Sequence, residues 1–281
     1  MKKRSALYVG LSLIMVCCLW GCGGKNADSG EQKNPKPSHA TTISEDYFEW
    51  DGNTIKALTE EGKKQETLVI PERCEGFDTK CYLGGDDCKV KHVSFESDKD
   101  VELNHAFYAA RGIVSIELPE QLSKIDDSAF YFCSSLEELI IPPNVQSVGA
   151  HAADGATSLK KVIFRGNTVV INRQAFEGCY SLETVELCDS ITEIGQYAFH
   201  YCSSLKQLTL PASLKKVGGY VCLSSGVTDV TVPQELVFED CDLTAFLTNE
   251  NDVTVHITKG SWIDQHYDDF FRSLAFVKQY D

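Results

Sequence analysis

The chain has 281 residues, of which 26 are Lys or Arg and 41 are Asp or Glu, giving a formal charge of −15 at pH 7. So acidic a surface excludes nucleic acid and anionic lipid headgroups as natural partners. The acidic residues are spread along the chain rather than gathered in one run, which reads as a solvated, self-repelling coat.

At the N-terminus, Lys2, Lys3 and Arg4 precede an apolar stretch of about fifteen residues from Ala6 to Trp20. A helix that spans a bilayer needs roughly 20 such residues, so this segment reads as a secretory signal. Leu19-Trp20-Gly21-Cys22 resembles the bacterial lipobox. The resemblance implies cleavage after residue 21 and a diacylglycerol on Cys22, so that the protein is held at the membrane through an N-terminal lipid. Cleavage there removes three cations and no acid, taking the charge from −15 to −18. Residues 22–45 are Gly, Lys, Asn, Asp, Ser, Pro and Thr with hardly an apolar side chain, the composition of a disordered tether.

Residues 46–66 form the expected N-terminal cap. Two short apolar runs flank Asp51-Gly52, a strong β-hairpin signal, and Ile55 and Leu58 supply a face to cover the end of a core. Trp50 reads as part of this cap rather than as a ligand-stacking residue. Next comes an irregular stretch with Cys74, Cys81 and Cys88 at intervals of seven. A zinc site with His92 lacks the short Cys-x2-4-Cys knuckle of structural sites, and a disulfide within this loop is the preferred reading. The pairing among Cys74, Cys81, Cys88, Cys188, Cys222 and Cys241 stays open.

From residue 67 to 233 one pattern recurs every 23 residues, anchored at Ile113, Leu136, Leu159, Leu182 and Leu205. Apolar residues stand three and five places after each anchor, as in Leu136, Leu139 and Ile141, which is the alternation of a half-buried strand. Six places before the anchor stands Phe107, Phe130, Ala153, Phe176 or Phe199, and three places before it Ala110, Cys133, Ala156, Cys179 or Cys202. The recurrent thiols read as small core filler. The stretch between strand and aromatic suits a curved return with little regular structure. No unit this short can bury its own apolar face, so the units must stack into a parallel-stranded solenoid.

The run Ile191-x-x-Ile194-Gly195-x-x-Ala198-Phe199-x-x-Cys202-x-Ser204-Leu205-x-x-Leu208-x-Leu210-Pro211 resembles the BspA-like, or treponemal, class of leucine-rich repeat. That resemblance implies a repeat solenoid with a parallel β-sheet on one face and mostly irregular return segments. It also implies attachment to host matrix proteins or to other cells. The unit with Ala153 and Ala156 departs most from the pattern, and looser packing is expected there.

Residues 234–281 read as a small α/β C-terminal cap. Val253–Ile257 alternates as a strand, Gly260-Ser261 sets an N-cap for a helix from Trp262 to about Leu274, and Ala275–Tyr280 forms a last strand.

No catalytic motif occurs: there is no Gly-x-Ser-x-Gly, no His-Glu-x-x-His and no phosphate-binding glycine loop. Asp98-Lys99-Asp100-Val101-Glu102 lacks the glycine and closing glutamate of a calcium loop. His92, His151 and His200 fall in repeat units and read as surface positions. The expectation is a non-enzymatic binder with no cofactor and no metal. The alternative is an envelope scaffold without a foreign ligand. Residues two and four places after each anchor must face outward. Most are polar, but Ile140 and Ile163 fall side by side, rimmed by Glu138, Lys161, Thr184 and Glu186. These six are the candidate partner-binding residues, with Tyr131, Phe132, His200 and Tyr201 on the return segments as the next surface.

Overall fold

The apolar alternation of each unit decides which side of its strand is buried, and the 23-residue period decides where the next strand falls. In the computed structural model, which describes residues 43–281 except 86, 239, 242–244, 247–252, 269–275 and 281, each unit makes one turn of a parallel β-solenoid. The signal segment, Cys22 and nearly all of the tether lie outside the described residues.

Strand Glu138–Ile141 pairs in parallel with Lys161–Phe164, which pairs with Thr184–Glu186, so that Lys161 lies between Glu138 and Thr184. The same arrangement joins Thr67–Ile70, His92–Phe95 and Ser115–Ile116. It recurs from Gln207–Thr209 through Asp229–Thr231 and Val253–Ile257 to Phe276–Tyr280. These three runs form the front of the solenoid. Where the runs meet, Leu118, Val185 and Leu187 are half-buried rather than fully inside, although their repeat positions are the inward ones.

The return segments are more regular than the sequence suggests. Two-residue strands at Lys124–Ile125, Ser147–Val148, Val170–Ile171, Glu193–Ile194, Lys216–Val217 and Asp240–Cys241 form a second, six-stranded parallel sheet. Each of the first five buries one β-branched residue. Two residues are too few for an alternation to register in sequence, which is why this sheet was not expected.

At the N-terminal end the expected hairpin is present. Phe48–Asp51 and Thr54–Leu58 pair antiparallel around Gly52, whose φ of +57° suits the turn. Thr54–Leu58 then pairs in parallel with Gly76–Phe77, tying the hairpin to the first turn. At the other end, Val253–Ile257 and Phe276–Tyr280 extend the front sheet. Ser261 caps the helix as expected, its Oγ accepting from the Asp264 N–H at 3.1 Å. Its first turn covers Trp262–Gln265 and is closed by His266, whose N–H bonds back to the Trp262 carbonyl, and Tyr267 and Asp268 are helical again. The rest of the expected helix, residues 269–274, lies outside the described residues.

The core is a set of columns along the solenoid. Phe107 stacks on Phe130 at 5.4 Å, and Phe176 on Phe199 at 5.7 Å, all four being buried. Ala153 interrupts this aromatic column. On its rung the large side chain is Phe164, which meets Phe176 edge-on at 6.2 Å. Cys133, Cys179 and Cys202 are buried, as their shared repeat position implies. Each thiol also donates to a carbonyl of the preceding rung: Cys133 to Phe107 at 3.0 Å, Cys179 to Ala153 at 3.3 Å and Cys202 to Phe176 at 3.2 Å.

The expected disulfide in the irregular first unit is not formed; Cys74, Cys81 and Cys88 are free thiols. Cys74 donates to the Gly76 carbonyl at 3.3 Å and Cys88 to the Leu83 carbonyl at 3.7 Å, while Cys81 is buried in the apolar core. Each sulfur has its own local environment, and apolar packing closes the loop in place of a bond. Cys188, Cys202 and Cys222 are likewise free.

Candidate functional site: the strand face and a charged column on the turns

The candidate partner-binding residues are brought together. Glu138 and Ile140, Lys161 and Ile163, and Thr184 and Glu186 occupy three adjacent, hydrogen-bonded strands. Ile140 is in register with Ile163, and Ile163 with Glu186. Neither isoleucine belongs to the buried core, and both are half-buried by their neighbours. Lys161 Nζ reaches Glu186 Oε1 at 2.7 Å, crossing to the next strand and running beside Ile163. That carboxylate raises the lysine pKa by accepting its hydrogen bond. Both partners are substantially exposed, so the ion pair adds little stability. It does fix a charged border next to the apolar pair.

A second surface lies on the tight turns that carry Phe107, Phe130, Ala153, Phe176 and Phe199. Each turn holds two residues in the left-handed region, as at Ser128 (φ 56°) and Phe132 (56°), His151 (55°) and Gly155 (74°), and Tyr197 (60°) and Tyr201 (61°). The turns are cross-linked by backbone hydrogen bonds from each rung to the next. Phe132 N–H donates to Asp154 O, Gly155 N–H to Glu177 O, and Gly178 N–H to His200 O, all at 2.8 Å. Side chains between these bonds stand one above another at a fixed spacing.

Five places before each anchor, this column reads Tyr108, Tyr131, Asp154, Glu177, His200. Tyr108 and Tyr131 stack at 5.0 Å. The column then changes from aromatic to charged. Asp154 Oδ2 lies 2.9 Å from His151 Nδ1, and Glu177 Oε1 lies 2.9 Å from His200 Nδ1. Gln174 Nε2 donates to the other Glu177 oxygen at 2.5 Å. Burial pushes the Asp154 carboxyl up; the His151 contact opposes this and the Glu177 charge adds to it. Beyond the charged rungs, Tyr197 stacks on Tyr220 at 5.4 Å and His200 on Tyr201 at 3.8 Å.

His151 and His200 are therefore not free surface positions, as the sequence suggested. Their side chains are only 29% and 12% exposed, and each pairs with a carboxylate. The signal was available: aligning the units puts Asp154, Glu177 and His200 at one repeat position where the earlier units have tyrosine. His92 does lie on the surface, bonded to Ser115 at 2.8 Å. Among the described residues no helix is long and apolar enough to cross a membrane.

A parallel solenoid with a 23-residue period, an inward Leu/Ile ladder and short return strands defines a leucine-rich repeat protein. Six copies of the BspA type leucine rich repeat region match, over residues 53–183 and 135–251, and the chain belongs to that family. Among solved structures it is similar to a Treponema-derived protein, the T. pallidum leucine rich repeat protein, at 22% identity over 85% of this chain and 98% of that one, with a TM-score of 0.44. It is similar also to a leucine-rich repeat protein from Bacteroides ovatus, at 18% identity over 81% of this chain and 88% of that one, with a TM-score of 0.41. A third is a leucine rich cell surface protein from Faecalibacterium prausnitzii, at 14% identity over 82% and 83% of the two chains, with a TM-score of 0.48. No curated protein matches.

Proposed function

We propose that this chain is a lipid-anchored bacterial cell-surface protein whose solenoid binds another protein in adhesion to host or neighbouring cells. The binding centre in this reading is the strand face around Ile140 and Ile163. The observation that carries it is the in-register apolar pair with the Lys161–Glu186 ion pair beside it. An apolar centre with a charged rim is the usual anatomy of a recognition hot spot. The front sheet gives it room, since strands ~4.8 Å apart build a flat surface tens of ångströms long over several rungs. The lipobox at Leu19–Cys22 and the polar tether to residue 45 support display away from a membrane. The test is affinity capture of host-matrix and bacterial surface proteins on the purified chain and on a variant altered at Ile140 and Ile163. Recovery of one protein by the parent but not by the variant supports the reading. Equal recovery by both moves the site elsewhere.

A further inference from the structure

His151, Asp154 and Glu177 converge on the turn column in a way that hydrogen bonding within the chain does not require. One ligating atom from each lies within 4.8 Å of the other two. The carboxylates of Asp154 and Glu177 are only 17% and 19% exposed. Two like charges on successive rungs, partly removed from water, repel each other more strongly than they would at the open surface. Among the described residues neither forms an ion pair with a lysine or arginine; their only basic partners are the two imidazoles.

We propose that this cluster binds a divalent transition-metal ion of the zinc class. His151, Asp154 and Glu177 are its three protein ligands and a water takes the remaining position. Donor chemistry selects the metal. Calcium takes six to eight oxygens and magnesium keeps an octahedral, largely hydrated shell, whereas imidazole nitrogen and carboxylate oxygen are both zinc ligands and three of them leave one tetrahedral position open. Bonds of ~2.0–2.2 Å in a tetrahedron place ligand atoms ~3.3 Å apart. The ligating atoms already lie within 4.8 Å of one another, so closing on a metal brings them together by at most about 1.5 Å. The backbone beneath them is held by the Gly155–Glu177 and Gly178–His200 bonds between rungs.

The surroundings supply what a metal ligand needs from its neighbours. His200 and Gln174 each donate to one oxygen of Glu177 and so orient its carboxylate. Each of those oxygens keeps a second lone pair for a cation. His200 is thus a positioning residue in this site, a type of partner whose loss lowers metal affinity without removing a ligand. Cys179, buried nearby, is not a ligand, since its thiol is turned inward and donates to Ala153 O.

The experiment is a cobalt(II) titration of the purified, chelator-treated chain without a histidine tag, followed by displacement with zinc. The expected result is one cobalt per chain, with d–d absorption, no thiolate charge-transfer band, and loss of the signal on adding zinc. Glu177→Gln, nearly isosteric, and His151→Ala should each weaken binding by about tenfold or more, and His200→Gln by a similar factor through the orientation of Glu177. His92→Ala, on the strand face, should leave the titration unchanged. Zinc should raise the melting temperature of the parent but not that of Glu177→Gln, whose metal-free melt shows whether it folds. No d–d band, a charge-transfer band from cysteine, or identical titration of parent and folded Glu177→Gln overturns the proposal. The result does not depend on whether the strand face binds a protein.

Discussion

Phe176 and Phe199 lie face to face, their ring centroids 5.7 Å apart and their planes 6° from parallel, because the repeat places them at one position on successive rungs. Both are buried, so removing either ring leaves a cavity that the stacked backbone cannot close. Phe199→Ala should cost about 3–5 kcal/mol, a large part of the stability of an ordinary domain. Denaturant unfolding followed by circular dichroism measures this. A midpoint equal to that of the parent would mean that the column is not a core element.

The thiols of Cys133, Cys179, Cys202 and Cys222 should resist alkylation in the folded state. All four are buried, and desolvation pushes Cys133 and Cys222 up to about 12 from an ordinary 9.0. The reactive thiolate is therefore scarce at neutral pH. Cys88 and Cys188 are only partly covered. Brief iodoacetamide treatment followed by peptide mass spectrometry should label these two first, with the four core thiols reacting only after unfolding. Rapid labelling of Cys179 or Cys202 in the folded chain would contradict the packing.

What sequence alone conveys here follows from the period. Any residue whose role repeats, such as Leu139, Phe199 or Cys202, is placed by alignment of the units, because translation by one turn preserves its surroundings. The second sheet escapes because two-residue strands such as Val170–Ile171 leave no alternation to read. An extracytoplasmic setting suggests a bond among the thiols of the first unit, whereas Cys74 and Cys88 donate to nearby carbonyls and Cys81 packs in the apolar core. The His151–Asp154–Glu177 cluster escapes for a different reason. It is a departure from the repeat spread over two rungs, and its members meet only through a turn in which His151 is left-handed. The strand-face residues follow directly from the alternation, but how far their neighbours cover Ile140 and Ile163 does not.

Asp264 joins the last strand, Phe276–Tyr280, to the helix N-terminus and makes acid stability testable. The Gly260 N–H, then Lys278 and Tyr280, stabilise its charged form and lower its pKa from an ordinary 3.8 to about 2. A carboxyl depressed by folding contributes stability that is complete above its unfolded value and is lost as pH falls through the folded one. The contribution should therefore be full near pH 5 and above, and should disappear between about pH 4 and pH 2. Asp264→Asn should lower the melting temperature at pH 6 and converge with the parent near pH 2. A constant difference across that range would show that the residue acts through packing instead.

Lipidation of Cys22, which lies outside the described residues, is tested by growth with radioactive palmitate. The parent should incorporate label and fractionate with membranes, and Cys22→Ala should do neither. Each buried methylene of an acyl chain adds about 0.8 kcal/mol of membrane affinity, so loss of the lipid should release the chain from the membrane. Equal labelling of both proteins would remove the anchor from the proposed function.

The strand-face site makes the sharpest demand, because its two central residues sit between core and solvent. Ile140 and Ile163 are in register on adjacent strands and half-buried, so their substitution carries some structural cost. Replacement of both by threonine keeps the β-branch that suits a strand while removing apolar contact, and should cost no more than about 1–2 kcal/mol in total. Replacement of both by aspartate adds two like charges directly opposite each other and close to Glu138 and Glu186, which destabilises further. Binding should nevertheless order the proteins differently from stability. If the pair is the centre of recognition, the threonine variant should bind a captured partner at least about tenfold more weakly, since hot-spot residues each contribute upwards of about 2 kcal/mol. Lys161→Ala should mainly slow association and blunt its salt dependence, as expected of a border charge whose ion pair with Glu186 is open to solvent. Surface plasmon resonance at two salt concentrations separates these effects. A folded threonine variant that binds as well as the parent would shift the search to the turn surface of Tyr131, Phe132, His200 and Tyr201, where Phe132 and Tyr201 are 43% and 44% exposed.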